Sequence, residues 1–526
     1  MFKPIINLTV ILILAFTKTS SAQIKVVKIS NEFDPEEVAI AINPKNTKQI
    51  IAGANLTSAY YSHDQGLTWQ RNGLICKEYN VFGDPMLFWD TAQTACFMHL
   101  SFHNPKITPG GSWVDRIVLN TSIDFGKTYP NCYAVGKNEK KVQDKHWACV
   151  DEKTNTIHVS WTQFDVYEST DPKDTSIIRY SNSKDGGHTW TEPKRISAFT
   201  GDCADNDNTV EGATPCTGPN GEVYIAWAGP KGLVFQKSLD EGTSFLKEEK
   251  IIAPIKNGWE YKVSGVFRAN GLPFTACDNS KGVYRGRIYV CWGDEKNGEN
   301  NKDVFLVYSD DKGETWTEPI LVTYRPNHKE QFMPCMTVDQ KTGYVYIVYY
   351  DRQNYTDSLN TDVYLAVSKN GGLRFDNYKI NEGTFATNKT VFFGDYIGIS
   401  LVNNVIRPIW MQVDEKQKLS IYTAIINDSI LLAYQQKNVS EISVNKTFAF
   451  SDKIKIPFIA GEKFRLTAAI TKPLLAGFEQ VVAINKRVKK GTNTLLIDTK
   501  KLDIQKGNYV LTLYYKGRND YVWITE

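Results

Sequence analysis

Short apolar stretches that end in turn residues recur along most of the chain. Stretches of this length, bounded by Gly, Pro, Asn and Asp, predict buried β-strands rather than helices. Seven of them open successive units, at 38–44, 85–90, 147–151, 213–220, 272–278, 333–339 and 397–403. Further alternating stretches follow each start, so the pattern predicts an all-β protein built from repeated units.

One octapeptide pattern, Ser-x-Asp-x-Gly-x-Thr-Trp, recurs inside these units. Its six copies begin at Ser62, Ser122, Ser183, Ser238, Ser309 and Ser368, which are 60, 61, 55, 71 and 59 residues apart. Asp or Asn can bond the backbone two residues further on, and Gly accepts a positive φ. The aromatic residue then leads into the next strand. The octapeptide is therefore predicted to be a hairpin turn between the third and fourth strands of each unit.

The number of units predicts how the repeat closes. The seventh unit continues through 405–412 and 419–426 but lacks a fourth strand, while a lone strand at 24–29 precedes the first unit. A β-propeller closes its ring when one terminus completes the last blade. The count favours seven blades with strand 24–29 as the closing piece. Six blades, with the seventh set belonging to a linker, are the alternative.

The pattern changes near Asp428, after which there is no octapeptide and no Cys. Alternating strands at 447–450, 464–470, 481–484, 493–498 and 509–515 predict a small β-sandwich. The segment from Lys506 to Tyr514 resembles the C-terminal modules of secreted Bacteroidetes proteins, which implies an accessory or sorting domain. The predicted domains are a signal peptide at 1–22, a propeller at 23–428 and a sandwich at 429–526.

The first residues have the form of an export signal. Lys3 precedes an apolar run at 5–16, and small residues lead to Ala22. This layout predicts cleavage after Ala22 and a secreted, periplasmic or cell-surface protein. An exported chain permits disulfides. Of nine Cys, Cys203 with Cys216 and Cys277 with Cys291 are plausible pairs, and buried free thiols are the alternative.

Charge and motifs exclude several classes of function. The net charge of +3 comes from 61 basic and 58 acidic residues, so nothing indicates a nucleic-acid partner. No later stretch is apolar and long enough for a membrane span. Protease, esterase and nucleotide-binding motifs are missing from the sequence. We expect a monomer that needs no cofactor.

The propeller topology brings candidate site residues to one face. The starts of the first strands and the loops after the second strands lie opposite the octapeptide turns, around the central funnel. The predicted catalytic residues there are Glu211, Asp395, Tyr396, Asp84 and His146; the predicted substrate-binding residues are Arg268, Arg352, Lys145, Asn270 and Glu37. Arginines hold carboxylates by two-point contacts, and paired carboxylates can cleave glycosides. The combination indicates an acidic sugar.

Each candidate also has a structural alternative. Asp84 and Asp395 could cap turns, Glu211 could bond backbone amides, and His146 could be a packed structural residue. Arg352 could pair with Asp351 or Asp362 as a blade-to-blade clamp. The loop at 201–208 is dense in oxygen atoms. Its Asp202, Asp205 and Asp207 could hold a structural Ca²⁺, or the loop could simply be acidic and solvated.

The span from Glu36 to Ile426 resembles the sialidase-like BNR/Asp-box superfamily, on the strength of the six octapeptides. In true sialidases three arginines clamp the substrate carboxylate, a Tyr paired with Glu is the nucleophile, and an Asp is the acid/base. Tyr396 with Glu211 could form such a pair. The first-blade strand that carries Phe-Arg-Ile-Pro in sialidases reads Glu37-Val-Ala-Ile40 here, without an Arg.

The resemblance implies a secreted carbohydrate-active protein. An exo-acting, sialidase-like glycoside hydrolase on acidic glycans is the first hypothesis. A lyase on uronate-containing glycans, with His146 or Tyr396 as base, is an alternative. A non-catalytic propeller that binds glycan or protein is the other, with aromatic loop residues such as Trp113, Trp259 and Tyr355 as contacts.

Overall fold

The structure is a computed structural model that describes residues 24–525 with internal gaps. The gaps are 103–113, 139, 299, 324–328, 356–358, 438–441, 445–446, 462, 472–478 and 516–517. The predicted signal peptide, its cleavage site and Trp113 lie outside the described residues.

Strand β1 (Lys25–Ser30) comes first, and three four-stranded antiparallel sheets follow it. Blade 1 contains β2 (Ala39–Ile42), β3 (Ile50–Ala54), β4 (Ser58–Ser62) and β5 (Gln70–Gly73). Blade 2 contains β6 (Gly83–Trp89), β7 (Ala95–Ser101), β8 (Arg116–Ser122) and β9 (Asn131–Val135). Blade 3 contains β10 (Val142–Val150), β11 (Ile157–Phe164), β12 (Ser176–Ser183) and β13 (Lys194–Arg195).

The next sheets repeat this order with one insertion. Blade 4 contains β14 (Glu211–Thr217), β15 (Val223–Gly229), β16 (Gly232–Ser238) and β17 (Lys250–Ala253), and a hairpin of β18 (Glu260–Tyr261) and β19 (Ala269–Asn270) follows. Blade 5 contains β20 (Phe274–Cys277), β21 (Ile288–Asp294), β22 (Asp303–Ser309) and β23 (Ile320–Leu321). Blade 6 contains β24 (Gln331–Val338), β25 (Val345–Asp351), β26 (Asn360–Ser368) and β27 (Asp376–Lys379), with β28 (Phe385–Ala386) paired to β26. Blade 7 contains β29 (Gly398–Val402), β30 (Val405–Val413) and β31 (Leu419–Ile425).

The N-terminal strand β1 closes the ring. It pairs antiparallel with β31, with Lys25 opposite Ile425 and Val27 opposite Thr423, and so becomes the fourth strand of blade 7. The first strands of neighbouring blades contact one another around the centre, including β2 with both β6 and β29. The prediction of a seven-bladed propeller is confirmed, as is the closing role of the first strand.

Six turns between third and fourth strands lie at the predicted octapeptides, and their hydrogen bonds repeat. In the copy in blade 5, the Ser309 hydroxyl donates to Asp311 Oδ1 at 2.8 Å, and the Thr315 amide donates to the same oxygen at 2.8 Å. The Gly313 amide donates to Ser309 Oγ at 2.9 Å, and Gly313 has a φ of +79°. The octapeptide is therefore a self-contained turn, as its composition predicts.

A helix and two further sheets follow the propeller strands. Helix α1 (Asp428–Lys437) begins after Asn427, whose side chain accepts the Ile430 amide at 2.9 Å as an N-cap. One sheet contains β32 (Ile442–Val444), β34 (Lys453–Ala460) and β37 (Gly491–Asp498). The other contains, in spatial order, β33 (Thr447–Ala449), β39 (Arg518–Thr525), β38 (Tyr509–Tyr515), β35 (Phe464–Thr471) and β36 (Glu479–Val488). They share a hydrophobic core of their own. None of the described helices has the length and apolarity of a membrane span.

The cysteines differ from the sequence prediction. One disulfide, Cys76–Cys132, joins the chain after blade 1 to β9 of blade 2. Cys203, Cys216, Cys277 and Cys291 are free and buried, so both predicted pairs are wrong. On the β20–β21 ladder Cys277 lies opposite Ile288 while Cys291 lies opposite Phe274, which keeps the two thiols at different positions along the strands.

Candidate active site in the central funnel

The first strands of the blades begin with an irregular backbone at the funnel. Glu37, Asp84 and Lys145 have φ values of 48°, 53° and 48°, a left-handed conformation that non-glycine residues rarely adopt. The β-ladder shifts register beside Asp84 and beside Lys145, as it does in blades 4 and 6. The left-handed residues Glu37, Asp84 and Lys145 thus bring charged side chains from three consecutive blades to the funnel.

Glu37 and Asp84 lie side by side and share one asparagine. The Asn55 amide donates to Glu37 Oε2 at 2.6 Å, and Asn55 Oδ1 accepts the Asp84 amide at 3.0 Å. Burial, and then the charge of Asp84, raise the pKa of Glu37 well above its usual range. Gly394 packs closely on Glu37: a Cβ at this position would lie only 2.2 Å from Cγ of Glu37, so a larger residue would clash. Asn55 is a site residue that the sequence reasoning missed.

Asp395 is the most strongly paired carboxylate of the funnel. Lys145 Nζ lies 2.7 Å from Asp395 Oδ2 and 3.5 Å from Asp84 Oδ2, and Arg268 Nε donates to Asp395 Oδ1 at 2.8 Å. Arg268 Nη2 bonds the second carboxylate oxygen, and Asn270 donates to the Asp395 carbonyl at 3.0 Å. Burial would raise the pKa of Asp395, but Lys145 and Arg268 outweigh it and lower that pKa.

Glu211 has the opposite environment. Its side chain is only 1% exposed, and neither carboxyl oxygen receives a hydrogen bond. Burial first, and then the charge of Asp205, raise its pKa well above the usual range. Burial also raises the pKa of Asp144, beside Lys145, to about 7. The Tyr167 hydroxyl donates to Asp205 at 2.6 Å, which fixes this carboxylate beside Glu211.

These side chains line one recess of about 300 Å³, open mouth included. Its walls are formed by Lys145, Asp205, Glu211, Trp259, Glu260, Arg268, Asn270, Leu272 and Asp395. Six of the ten predicted catalytic and substrate-binding residues therefore meet in or beside it: Glu211, Asp395, Arg268, Lys145, Asn270 and Asp84.

The β18–β19 hairpin supplies one side of the recess. Glu260 lies opposite Asn270 on its ladder, and Arg268 precedes β19. Phe267, 62% exposed, packs edge-on against Phe392 at 5.7 Å, and the Arg268 guanidinium lies 5.2 Å from the Phe392 ring. The sequence signal for this insertion was the 71-residue spacing between the fourth and fifth octapeptides, the longest of the five.

An aromatic cluster connects the charged funnel with the central channel. The Trp147 ring lies 5.2 Å from Tyr396 and 5.0 Å from Phe274, with both pairs edge-on. Trp147 and Phe274 also line a channel bounded by the first strands of all seven blades. Burial, and then Asp84 and Glu37, raise the pKa of Tyr396. The carboxyl groups that raise the pKa of Tyr396 are thus Asp84, Glu37 and Asp395, and its predicted pairing with Glu211 lacks support.

Two predicted site residues are buried and do not line the recess. Arg352 is 2% exposed, and its donors are taken by Glu330 at 2.6 Å, Thr361 at 3.1 Å and Thr387 at 2.7 Å. These partners lie in or directly beside blade 6, so Arg352 ties one blade together, and the predicted clamp partners Asp351 and Asp362 are not among its contacts. His146 is buried, and burial lowers its pKa to about 4, so the imidazole stays neutral at pH 7.

The predicted calcium ligands do not converge. Asp202 accepts the Thr209 hydroxyl at 2.9 Å, Asp205 accepts Tyr167, and Asp207 accepts the Glu260 amide at 2.7 Å. No group of three or more His, Cys, Asp or Glu among the described residues is arranged to hold a metal ion. The prediction of Ca²⁺ at Asp202, Asp205 and Asp207 is corrected accordingly, because each carboxylate bonds a different protein group.

Comparison with known proteins agrees with the repeats. The family model of the BNR/Asp-box repeat matches residues 60–71. No curated protein matches the chain. Similar solved structures include a Hadza microbial sialidase (14% identity, 72% of this chain and 73% of the other, TM-score 0.42) and the Trypanosoma rangeli sialidase (9%, 86% and 85%, 0.39). A PL25 ulvan lyase is also similar (12%, 76% and 94%, 0.45).

At these TM-scores the superpositions add nothing to what the sheets show. The fold is evident from the chain itself: an octapeptide turn matched by the family model, six copies of it in equivalent positions, and a closed ring of seven sheets, six with four strands and one with five. The chain is a seven-bladed β-propeller whose first blade carries a BNR/Asp-box repeat.

Proposed function

We propose that the chain is a glycoside hydrolase whose active site is the funnel recess. The observation that supports this most is a pair of buried carboxyl groups in one recess whose pKa values are displaced in opposite directions. Glu211 is held protonated and Asp395 is held ionised. Two such groups can divide the acid and carboxylate roles of glycoside cleavage.

In the proposed reaction, Glu211 donates its proton to the glycosidic oxygen as the bond to the anomeric carbon breaks. The Asp395 carboxylate, held in place by Lys145 and Arg268, orients the water that adds to that carbon. The water proton returns to the carboxylates, so one water is consumed and two sugar products form. The exposed Phe267 and the half-buried Phe392 that packs against it provide faces for the apolar side of a sugar ring.

The lyase alternative has less support. A lyase needs a base that reaches the substrate, yet neither His146 nor Tyr396 lines the recess. The raised pKa of Tyr396 also makes its phenolate scarce at neutral pH. For a binding propeller, the predicted contact Trp259 is buried at 5% exposure, and its indole donates to the Thr209 carbonyl.

We also propose that the protein is exported after cleavage at Ala22, and N-terminal sequencing of the mature protein would test this.

The first test replaces the proton donor while keeping its shape. Glu211→Gln should lower kcat by about 10² to 10⁴ on a natural glycoside, which is the usual contribution of a general acid. An aryl glycoside with an acidic leaving group needs no proton, so its turnover should fall much less. Asp395→Asn should slow both substrates. Turnover measured on both substrates for each variant separates the two roles.

The proposed roles also predict how turnover depends on pH. The lowered pKa of Asp395 keeps it ionised down to acidic pH, and the raised pKa of Glu211 keeps it protonated above its usual range. Activity should therefore fall on the acid side as Asp395 is protonated and on the alkaline side as Glu211 ionises. Glu248→Gln, an exposed carboxyl beyond the octapeptide turn of blade 4, is the control. Unchanged turnover in both Glu211→Gln and Asp395→Asn would contradict the proposal.

A further inference from the structure

Acidic side chains outnumber basic side chains in the lining of the recess. Asp205, Glu211, Glu260 and Asp395 face it, against Lys145 and Arg268. Asp207 lies directly beside them, because its carboxylate accepts the Glu260 amide at 2.7 Å. We call Asp205, Asp207 and Glu260 the acidic rim. Burial, and then the charges of Asp207 and Asp205, raise the pKa of Glu260, so these carboxylates repel one another.

Both cations of the recess are already engaged. Lys145 lies between Asp395 and Asp84, and two nitrogens of Arg268 bond the two oxygens of Asp395. The third nitrogen of Arg268 lies 3.8 Å from Asp205. An anionic sugar would have to displace Asp395 and would face the acidic rim. The charges therefore disfavour the acidic glycan that the sequence predicted.

The burial of Glu211 is a separate observation that indicates a ligand in the recess. It is 1% exposed, lines the recess, and receives no hydrogen bond on either oxygen within the described structure. A buried polar group without a partner is costly unless a bound molecule provides one. The same recess thus contains a buried acid whose oxygens accept no hydrogen bond and a set of carboxylates that outnumber the cations Lys145 and Arg268.

We propose that the sugar bound in this recess bears a free, protonated amino group, held by the acidic rim while Glu211 meets the glycosidic oxygen. This inference rests on the proposed hydrolase function. An ammonium group has three N–H donors and one positive charge, which suits several carboxylates in one place. A metal ion is the weaker alternative, because the described carboxylates form no cluster with ligand geometry.

The test uses one hexosamine oligosaccharide in three forms that differ at the nitrogen: free amine, N-acetyl and N-succinyl, in both α- and β-linked series. Calorimetric titration of the full chain should show the free amine binding at least tenfold tighter than the N-acetyl form, and the N-succinyl form weakest. Added salt should weaken the free-amine complex most. Asp205→Asn and Glu260→Gln should each reduce the preference, and Glu248→Gln should leave it unchanged.

Three results would overturn the inference: equal affinity for the amine and N-acetyl forms, tighter binding of the succinyl form, or no binding of any form. Binding of Ca²⁺ alone at the rim, abolished by Glu260→Gln, would overturn it in favour of a metal. The two proposals fail separately. A hydrolase that prefers N-acetyl or acidic sugars contradicts only the amine inference, while tight amine binding with normal turnover in Glu211→Gln contradicts only the assignment of the acid.

Discussion

At the scale of single residues, Lys145 organises the funnel. It occupies a left-handed backbone position, is nearly buried, and lies between the carboxylates of Asp395 and Asp84. Its surroundings raise its pKa, since the nearby carboxylates outweigh the effect of burial. The charge state of Asp395, on which the proposed chemistry depends, is therefore set largely by this one side chain and Arg268.

Lys145→Met should destabilise the folded protein by about 3–5 kcal/mol, because it leaves buried Asp84 without its cation and Asp395 with Arg268 alone. Lys184→Met is the matched control, since the Lys184–Glu241 pair is exposed at 66% and 46% of its side chains. The control should cost at most about 1 kcal/mol. Urea unfolding of both variants measures the difference, and equal effects would show that Lys145 is not held as the structure describes.

At the scale of elements, the octapeptide turns fix the outer hairpins independently of the site. Hydrogen bonds from the hydroxyl and amide of Thr315 lower the pKa of Asp311 to about 2. In the turn of blade 4, the hydroxyl and amide of Ser244 likewise lower the pKa of Asp240 to about 2. In the sixth turn an asparagine, Asn370, replaces the aspartate. Its Oδ1 accepts hydrogen bonds from the Ser368 hydroxyl and from the Arg374 amide, both at 3.0 Å. The turn thus tolerates Asn but forms stronger bonds with an ionised Asp.

Asp311→Asn should lower the free energy of unfolding at pH 7 by about 1 kcal/mol, since it removes a charge-assisted bond. A carboxyl with a folded pKa near 2 stabilises the fold above its unfolded pKa of about 4. That contribution is lost as the pH falls from about 4 to 2, so the gap between variant and wild type should close over this range. Urea unfolding at pH 7, 4 and 2.5 measures it, and a constant gap would argue against an ionised Asp311.

At the scale of the whole molecule, closure of the ring depends on pairing the two ends of the propeller. Strand β1 covers the edge of β31, and without it blade 7 would have three strands and an unpaired edge. Its partner residues lie about four hundred positions later in the chain, at Ile421 to Ile425.

Deletion of residues 24–30 should therefore cost several kcal/mol and promote association through the open edge. Lys25→Ala, which removes an exposed side chain but keeps the strand, is the control. Thermal unfolding and light scattering measure both effects. A deletion variant as stable and monodisperse as wild type would mean that the ring does not need its closing strand.

The C-terminal sheets have their own hydrophobic core, including Ile456, Leu466 and Leu513. We propose from this that the propeller folds and acts without them. A fragment of residues 23–437 should keep the thermal transition of the propeller and its turnover, because no residue of the funnel recess lies beyond Asp395. Loss of folding in this fragment would contradict the predicted domain boundary.

Local chemistry explains why the fold was predictable. The octapeptide carries its own hydrogen bonds, and the strands are short and apolar, so turns, strands and their repeat number are all encoded in neighbouring residues. The count of seven and the closing strand followed from them. The hairpin at Glu260 to Asn270 and helix α1 were not predicted, because both belong to connecting segments without a strong period.

The sequence by itself determined the propeller and the face on which polar residues gather, since both depend on spacing along the chain. Tertiary structure alone decided which of those residues meet. Arg352 and Arg268 are both arginines of the funnel face, yet one is sealed by Glu330 and Thr387 and the other opens to the recess. Glu211 and Asp395 are both carboxylates, but their opposite protonation depends on Lys145 and Arg268, which come from other blades and the inserted hairpin. Charge and burial at a site are sums over neighbours distant in sequence, and no local pattern contains them.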